Sequence, residues 1–232
     1  MASHSTRRAD YRRYRQLMAA RPDLFSFAAD GIQILSDEAE IKTAQRHIAR
    51  RNREIGLPPA SASIGVLAED RYILALRDAI RFPDGSLGTH NRVIYVGAEG
   101  VGVLALFEGD IIAIRIYRHP LRRWLLEIPR GTVEPGDSLE DTVRKEVSEE
   151  IGGTVTRLVH LGGTVSDSSL SSGGVELFYA ELSQIGGPDP SEGIGALIRI
   201  SPADFMDKVC AGEFTDSHGI AAFSLARFKG LL

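Results

Sequence analysis

The sequence predicts a mixed α+β sandwich, and three observations carry that expectation. Short β-branched runs separated by turn sequences fill most of the chain after residue 64. An amphipathic, glutamate-rich helix interrupts them. Strands and helices do not alternate regularly, as a doubly wound sheet would require. The 232 residues, 43% hydrophobic and 25% charged, are enough to bury a core and give no basis for a disordered chain or a coiled-coil rod.

The elements follow in order. Residues 8–19 and 37–54 predict helices. The second opens at Asp37, carries Ile41, Ala44 and Ile48 at helical spacing, and stops before Gly56 and the Pro58-Pro59 pair. The stretch "LPPASAS" at 57–63 reads as a boundary, so the expected division is a helical N-terminal extension, 1–57, and a main domain, 58–232. Strands are predicted at 72–81, 91–97, 100–107, 110–118 and 125–128, with turns at "PDGS" (83–86) and "EGD" (108–110). After the glutamate-rich helix come strands at 154–166, 174–183 and 195–200, then helical stretches at 202–211 and 216–228. The chain contains no fixed-period repeat and no low-complexity tract.

Charge and cysteine content narrow the function classes. A net charge of -4 argues against a nucleic-acid surface, and the basic run "RRADYRRYR" at 7–15 is read as a solvated helix face. A single cysteine, Cys210, excludes an internal disulfide and a cysteine-based zinc site; it fits a reducing compartment and is read as a buried structural thiol. No run approaches the roughly 20 apolar residues of a membrane span, and the N-terminal arginines are followed by no apolar stretch of a secretory signal. The expected setting is cytoplasmic, with no membrane and no nucleic-acid partner.

The helix within "PRGTVEPGDSLEDTVRKEVSEEIGG" (129–153) raises the chemical question. Ser138 is placed as its N-cap, with Asp141 as capping-box partner. At about 100 degrees per residue, Val143, Val147 and Ile151 form an apolar stripe, Glu146 and Glu150 line one edge of it, and Glu149 lies a little beyond. Like charges at i,i+3 and i,i+4 cost a few tenths of a kcal/mol each, and the helix dipole opposes acids in the C-terminal half. A solvated acidic face is the alternative. Clustered carboxylates near a core are, however, what a hard divalent cation takes together with waters and phosphate oxygens.

The run Gly131, Asp137, Lys145, Glu146, Val147, Glu149, Glu150, Gly152 resembles the Nudix box, G-x5-E-x7-R-E-U-x-E-E-x-G-U, with matching spacing throughout. Asp137 stands where the box has its first glutamate, Lys145 where it has arginine, and Gly153 where it ends on an aliphatic residue. The lysine keeps a cation at i,i+4 from Glu149 but gives up the bidentate fork of arginine. The resemblance implies a Nudix-type α/β/α sandwich with a mixed sheet. It also implies catalytic Mg²⁺ (or Mn²⁺) held by Glu146 and Glu150, with Glu149 and the carbonyl of Arg130, and hydrolysis of a nucleoside diphosphate linked to another group.

Upstream, "IIAIRIYRHPLRRWLLEIPRG" (111–131) is similar to the segment of ADP-ribose pyrophosphatases in which a Y-R-x-P strand end precedes E-x-P-x-G. This implies substrate contact by Arg118, to phosphate, and by Glu127, to a ligand donor; a salt bridge to a neighbouring strand is the alternative for Arg118, and His119 is read as supporting a turn. Downstream, the similarity of 191–217 to the acidic loop of the same subgroup implies that Glu192 reaches the metals as ligand or base, with Glu176 as weaker competitor and Glu149 as the other candidate base. The subgroup's P-G-x-x-x-E element is replaced by serines and glycines at 166–174. ADP-ribose or a related nucleotide sugar is therefore the leading substrate, with another dinucleotide, a nucleoside triphosphate, or a non-catalytic nucleotide sensor as alternatives. The extension at 1–57 implies, by the same analogy, a homodimer.

Overall fold

The computed structural model describes residues 4–97 and 100–232, the side chains of 4–9 and 59 excepted, so Arg7 and Arg8 of the basic run lie outside the described side chains. The chain forms two compact units: Met1–Val96 with Asp167–Ser172, and Gly97–Ser166 with Gly173–Leu232. The division expected at 57/58 thus falls inside the first unit. The reason is that the strands after residue 64 pair with one another and bury their apolar side against the N-terminal helices.

In the first unit, α1 (His4–Ala20) and α2 (Glu38–Glu54) accompany a four-stranded antiparallel sheet of β1 (Gln33–Ile34), β2 (Gly65–Glu69), β3 (Ile73–Arg81) and β4 (Leu87–Tyr95). Asp37 caps α2 by accepting from the N–H groups of Ala39 and Glu40, as its position in the sequence predicts. Tyr14, Leu17, Ile41 and Ala44 of the helices pack with Leu74 and Leu76 of β3. One buried acid, Asp78, is satisfied within this core by the hydroxyl of Tyr14 at 2.6 Å and by Arg92 Nε at 2.5 Å. The serine-rich stretch belongs here: Leu170 O accepts from Val93 N–H at 2.7 Å, and Ser172 N–H donates to Val93 O at 3.1 Å.

The second unit is a mixed sheet between helices, the α+β sandwich the sequence predicts. Its strands are β5 (Gly100–Phe107), β6 (Asp110–Arg118), β7 (Arg123–Glu127), β8 (Arg130–Thr132), β9 (Thr154–Val165), β10 (Gly174–Gln184) and β11 (Ile194–Ile200). They run in the order β11-β6-β5-β10-β9, with β7 on β6 and β8 on β5, and the β5–β10 pair is parallel. Glu108 and Gly109 both take positive φ in the β5–β6 turn, as the sequence signal at 108–110 requires.

Apolar side chains point to both faces of this sheet. On one face, Leu104, Ile111, Ala113 and Leu177 meet Phe205 of α4 (Pro202–Cys210) and Ala222, Phe223 and Ala226 of α5 (Ser217–Phe228). On the other, Val101, Val103, Ile112, Phe178 and Ala180 meet Val143, Val147 and Ile151. The predicted stripe is therefore the buried face of its helix, each member fully buried and worth about 1.5–3 kcal/mol relative to exposure. Cys210, expected to be buried, is exposed at the end of α4, where the solvent side of an amphipathic helix needs no apolar partner. Among the described residues, no helix is long and apolar enough to cross a membrane.

Candidate active site

The glutamate helix, α3, runs as α-helix over Leu139–Glu146 and widens to a π turn over Val147–Ile151. Its start follows the sequence: Ser138 Oγ accepts from Asp141 N–H at 3.1 Å. Its end does not, because a straight α-helix was expected. Gly152 takes φ +66 and donates to Ser148 O at 3.0 Å, while Gly153 N–H reaches Val147 O at 3.1 Å. The helix end leaves the Glu149 and Ile151 carbonyls to partners outside the helix: Asp189 N–H donates to Glu149 O at 2.7 Å, and Gly186 N–H to Ile151 O at 3.1 Å.

Residues 129–131 lie against this helix. They are pinned to β5 by pairing of Arg130 with Gly102 and of Gly131 with Val101, and by Val103 N–H donating to Pro129 O at 3.0 Å. A Cβ at Gly131 would overlap the carboxylate of Glu146, so the glycine reserves that carboxylate's place. Glu150, 4% exposed, accepts the Arg130 N–H at 3.0 Å through Oε2.

Two carboxyls here are perturbed in the same direction. Burial first, then the charges of Glu149 and Glu192, pushes Glu146 up to about 7. Burial pushes Glu150 up to about 8, against the opposing Arg130 N–H and with help from Glu146 and Glu192. Glu192, half-buried at the end of the 3-10 turn Pro190–Glu192, is thus near enough for both to feel its charge. Glu176 is bonded to His160 at 2.6 Å across β9 and β10 and is no source of either shift.

Beside the acids sits a paired cationic group. Glu127, 2% exposed, holds two guanidinia: Arg118 Nε contacts both its oxygens at 3.0 Å, Arg118 Nη2 donates to Oε2 at 2.5 Å, and Arg130 Nη2 also donates to Oε2. Burial acts to raise the Glu127 carboxyl, but the arginines together hold it below the usual range. Arg118 therefore makes the cross-strand salt bridge that was the alternative to phosphate contact. Glu127, expected to face a ligand donor, spends its oxygens fixing the guanidinia, which retain donors of their own. Asp216, the cap of α5, joins this group by accepting from Ile128 N–H at 3.2 Å, with Arg130 Nη2 at 3.9 Å.

Lys145 departs from its expected partner. It donates to Glu134 Oε2 at 2.9 Å, and Glu134, not Glu149, leads the causes that raise its pKa. Asp137 is held in a turn by its N–H to Glu134 O at 3.0 Å. His119 opens the 3-10 turn His119–Leu121 and contacts Arg122, the turn-supporting place read from the sequence.

The oxygen donors suit a hard divalent cation. One half-buried and one buried carboxyl that resist ionisation when alone, at a loop where a glycine leaves room, are stabilised in ionised form by a cation. Among the described residues no group of three or more His, Cys, Asp or Glu side chains is placed to hold a metal ion. Glu150 instead turns one oxygen to the Arg130 amide, an open set of the kind Mg²⁺ completes with water and phosphate oxygens.

A mixed sheet between helices, with a glycine loop over a glutamate helix, defines the class. Residues 98–199 match the NUDIX domain. Among its relatives, the ADP-ribose pyrophosphatase of Bacillus subtilis (strain 168) is 34% identical over 103 residues, 44% of this chain and 55% of that protein. The methanol dehydrogenase activator of Bacillus methanolicus is 34% identical over 76 residues, 32% of this chain and 40% of that protein. This chain thus spans about half the length of these two relatives. The ADP compounds hydrolase NudE of Escherichia coli (strain K12) is 21% identical over 174 residues, 73% of this chain and 91% of that protein. The fold is that of a solved ADP compounds hydrolase, with TM-score 0.62 and 20% identity over 72% of this chain and 92% of that one.

Proposed function

We propose that this chain is a divalent-cation-dependent hydrolase that cleaves the pyrophosphate of ADP-ribose or a related nucleotide sugar, with Mg²⁺ as the metal. The observation that carries the reading is the pair of carboxyls, half-buried Glu146 and buried Glu150, at the Arg130–Gly131 loop, next to guanidinia locked on Glu127. The names of the relatives, an ADP-ribose pyrophosphatase and an ADP compounds hydrolase, support the substrate class.

Glu146, Glu150 and the Arg130 carbonyl would hold the metal, with Glu149 beside them. When bound, the ion would neutralise charge on the bridging pyrophosphate and lower the pKa of an attacking water. The chain's own residues do the rest. Arg118, oriented by Glu127, binds a phosphate oxygen with the donors that Glu127 leaves free. Glu149 or Glu192 accepts the proton from water as the new P–O bond forms and the anhydride P–O bond breaks, giving AMP and ribose 5-phosphate.

Incubation with Mg²⁺ and a panel of ADP-ribose, NADH, FAD, diadenosine polyphosphates and nucleoside triphosphates tests this. AMP release from ADP-ribose is the expected result. Nucleotide binding without turnover of any member would sink the enzyme reading, and unchanged turnover in Glu150→Gln would sink the metal assignment.

A further inference from the structure

The loop at 186–193 is fastened at both ends, and its fastenings lead to Glu192. At one end it docks on the π turn. Gly186 N–H donates to Ile151 O, Asp189 N–H donates to Glu149 O, and the backbones approach so closely that a Cβ at Gly152 would lie 2.8 Å from both N and O of Gly187. At the other end, Gly195 lies under Trp124, where a Cβ would meet ring atoms at 2.8 and 3.0 Å; Arg115 stacks over the same ring at 4.3 Å, and Tyr117 meets it edge-on at 5.7 Å. Between the two ends stands Asp189. Its carbonyl accepts from Glu192 N–H at 3.1 Å, and its carboxylate accepts from Ser191 N–H at 2.8 Å and from the Ser191 hydroxyl at 2.6 Å.

We propose that Asp189 is a positioning residue that sets Glu192 in register with the glutamate helix, its N–H bonded to the π turn and its carbonyl to the Glu192 amide. The glutamate box and the distant Glu192 then form one rigid constellation, without a closing movement of the loop. Glu149 O is among the carbonyls that the helix end at Ile151 leaves without an intrahelical partner, and Asp189 N–H takes it. The inference rests on the reading of Glu192 as a participating carboxylate.

Two measurements test it. In the metal-free protein, hydrogen exchange at the amides of Gly186, Asp189 and Glu192 should be at least about 10-fold slower than in a free peptide, and exchange at the free rate overturns the proposal. The second is a double-mutant cycle of Asp189→Pro with Glu192→Gln on the substrate the panel identifies. Asp189 has φ -59 and ψ 131, within the range proline adopts, so the substitution leaves residue 189 itself unstrained while deleting the N–H and the carboxylate that holds Ser191, and its Cδ pushes against Glu149 O and undocks the turn. Misplacing a reacting group by about 1 Å can cost on the order of 100-fold, so Asp189→Pro should lower kcat at least about 10-fold. KM should stay within about 3-fold. In the Glu192→Gln background the same change should cost less than about 2-fold. Equal losses in both backgrounds overturn the proposal. A silent Glu192→Gln removes the reading of Glu192 itself, and is seen before Asp189 is altered. Should Asp189→Pro fold poorly, Asp189→Ala, which keeps the N–H and frees Ser191, runs through the same cycle with an expected loss of about 3-fold in the parent background only.

Discussion

Replacing Glu150 by glutamine should stabilise the metal-free protein at alkaline pH while abolishing its response to Mg²⁺. The carboxyl is 4% exposed and raised from 4.5 to about 8. A raised carboxyl makes the folded state bind its proton more tightly than the unfolded chain does. Between pH 4.5 and 8 the folded state therefore holds more protons, and stability falls as pH rises through that window. The gap between 4.5 and about 8, at about 1.4 kcal/mol for each tenfold in acidity, sets a ceiling of roughly 5 kcal/mol. Relaxation and water entry leave about 2–3 kcal/mol of that. Glutamine has no charge to desolvate, and its carbonyl can keep the Arg130 N–H. Urea unfolding in EDTA at pH 5 to 9 should show the parent losing about 2–3 kcal/mol more than Glu150→Gln between pH 5 and 8. Glu146 leaves the variant a slope of the same sign that ends near pH 7, opposed below about pH 6.5 by His218, whose pKa burial lowers from 6.5. Mg²⁺ at pH 8 should restore the parent and leave the variant almost unmoved. Parallel curves in EDTA, or a Glu150→Gln protein less stable than the parent at pH 8, would refute the reasoning.

Substitutions at three further positions probe the same site. Gly131→Ala would force the Glu146 carboxylate out of its place, and metal-dependent turnover should fall about 100-fold, with a loss of about 1–3 kcal/mol in unfolding free energy by urea titration. Glu127→Ala leaves two guanidinia without their shared acceptor and should cost about 3–5 kcal/mol, whereas Glu127→Gln, which keeps one acceptor oxygen, should cost less; calorimetry on both decides it. Lys145→Ala removes only an exposed pair with Glu134 and should shift stability by less than about 1 kcal/mol in chemical denaturation, with kcat/KM changed by less than about 3-fold.

What the sequence made legible was whatever repeats with a period or ends on a side-chain signal. Val143, Val147 and Ile151 were found because the spacing survives even across the π turn, and Asp37 and Ser138 because caps are local. β2 was missed: it is five residues long, begins on Gly65, carries a bulge, and exists because β3 offers it an edge. β4 begins at Leu87 and not at 91, since the 82–86 turn fixes its register with β3 and carries weak strand formers such as Gly88 and Asn91 along. The π turn leaves no pattern in residue types, for it is a matter of which carbonyl meets which amide. The box spacing singled out Glu146 and Glu150, which the fold brings to the Arg130–Gly131 loop. The Glu134–Lys145 pair, the Arg130 guanidinium on Glu127, and Asp216 bonded to Ile128 N–H from 88 residues away depend on loop geometry that no local signal encodes.

The exposed thiol of Cys210 has a practical consequence for any measurement of self-association. As the chain's sole cysteine, sitting at the solvent end of α4, it is a ready-made attachment point for a maleimide dye or spin label in the unmutated protein, and one label per chain is the stoichiometry to expect. The same accessibility lets two copies join through a disulfide in air. A twofold mass observed without reductant must therefore survive dithiothreitol before it counts as a noncovalent dimer.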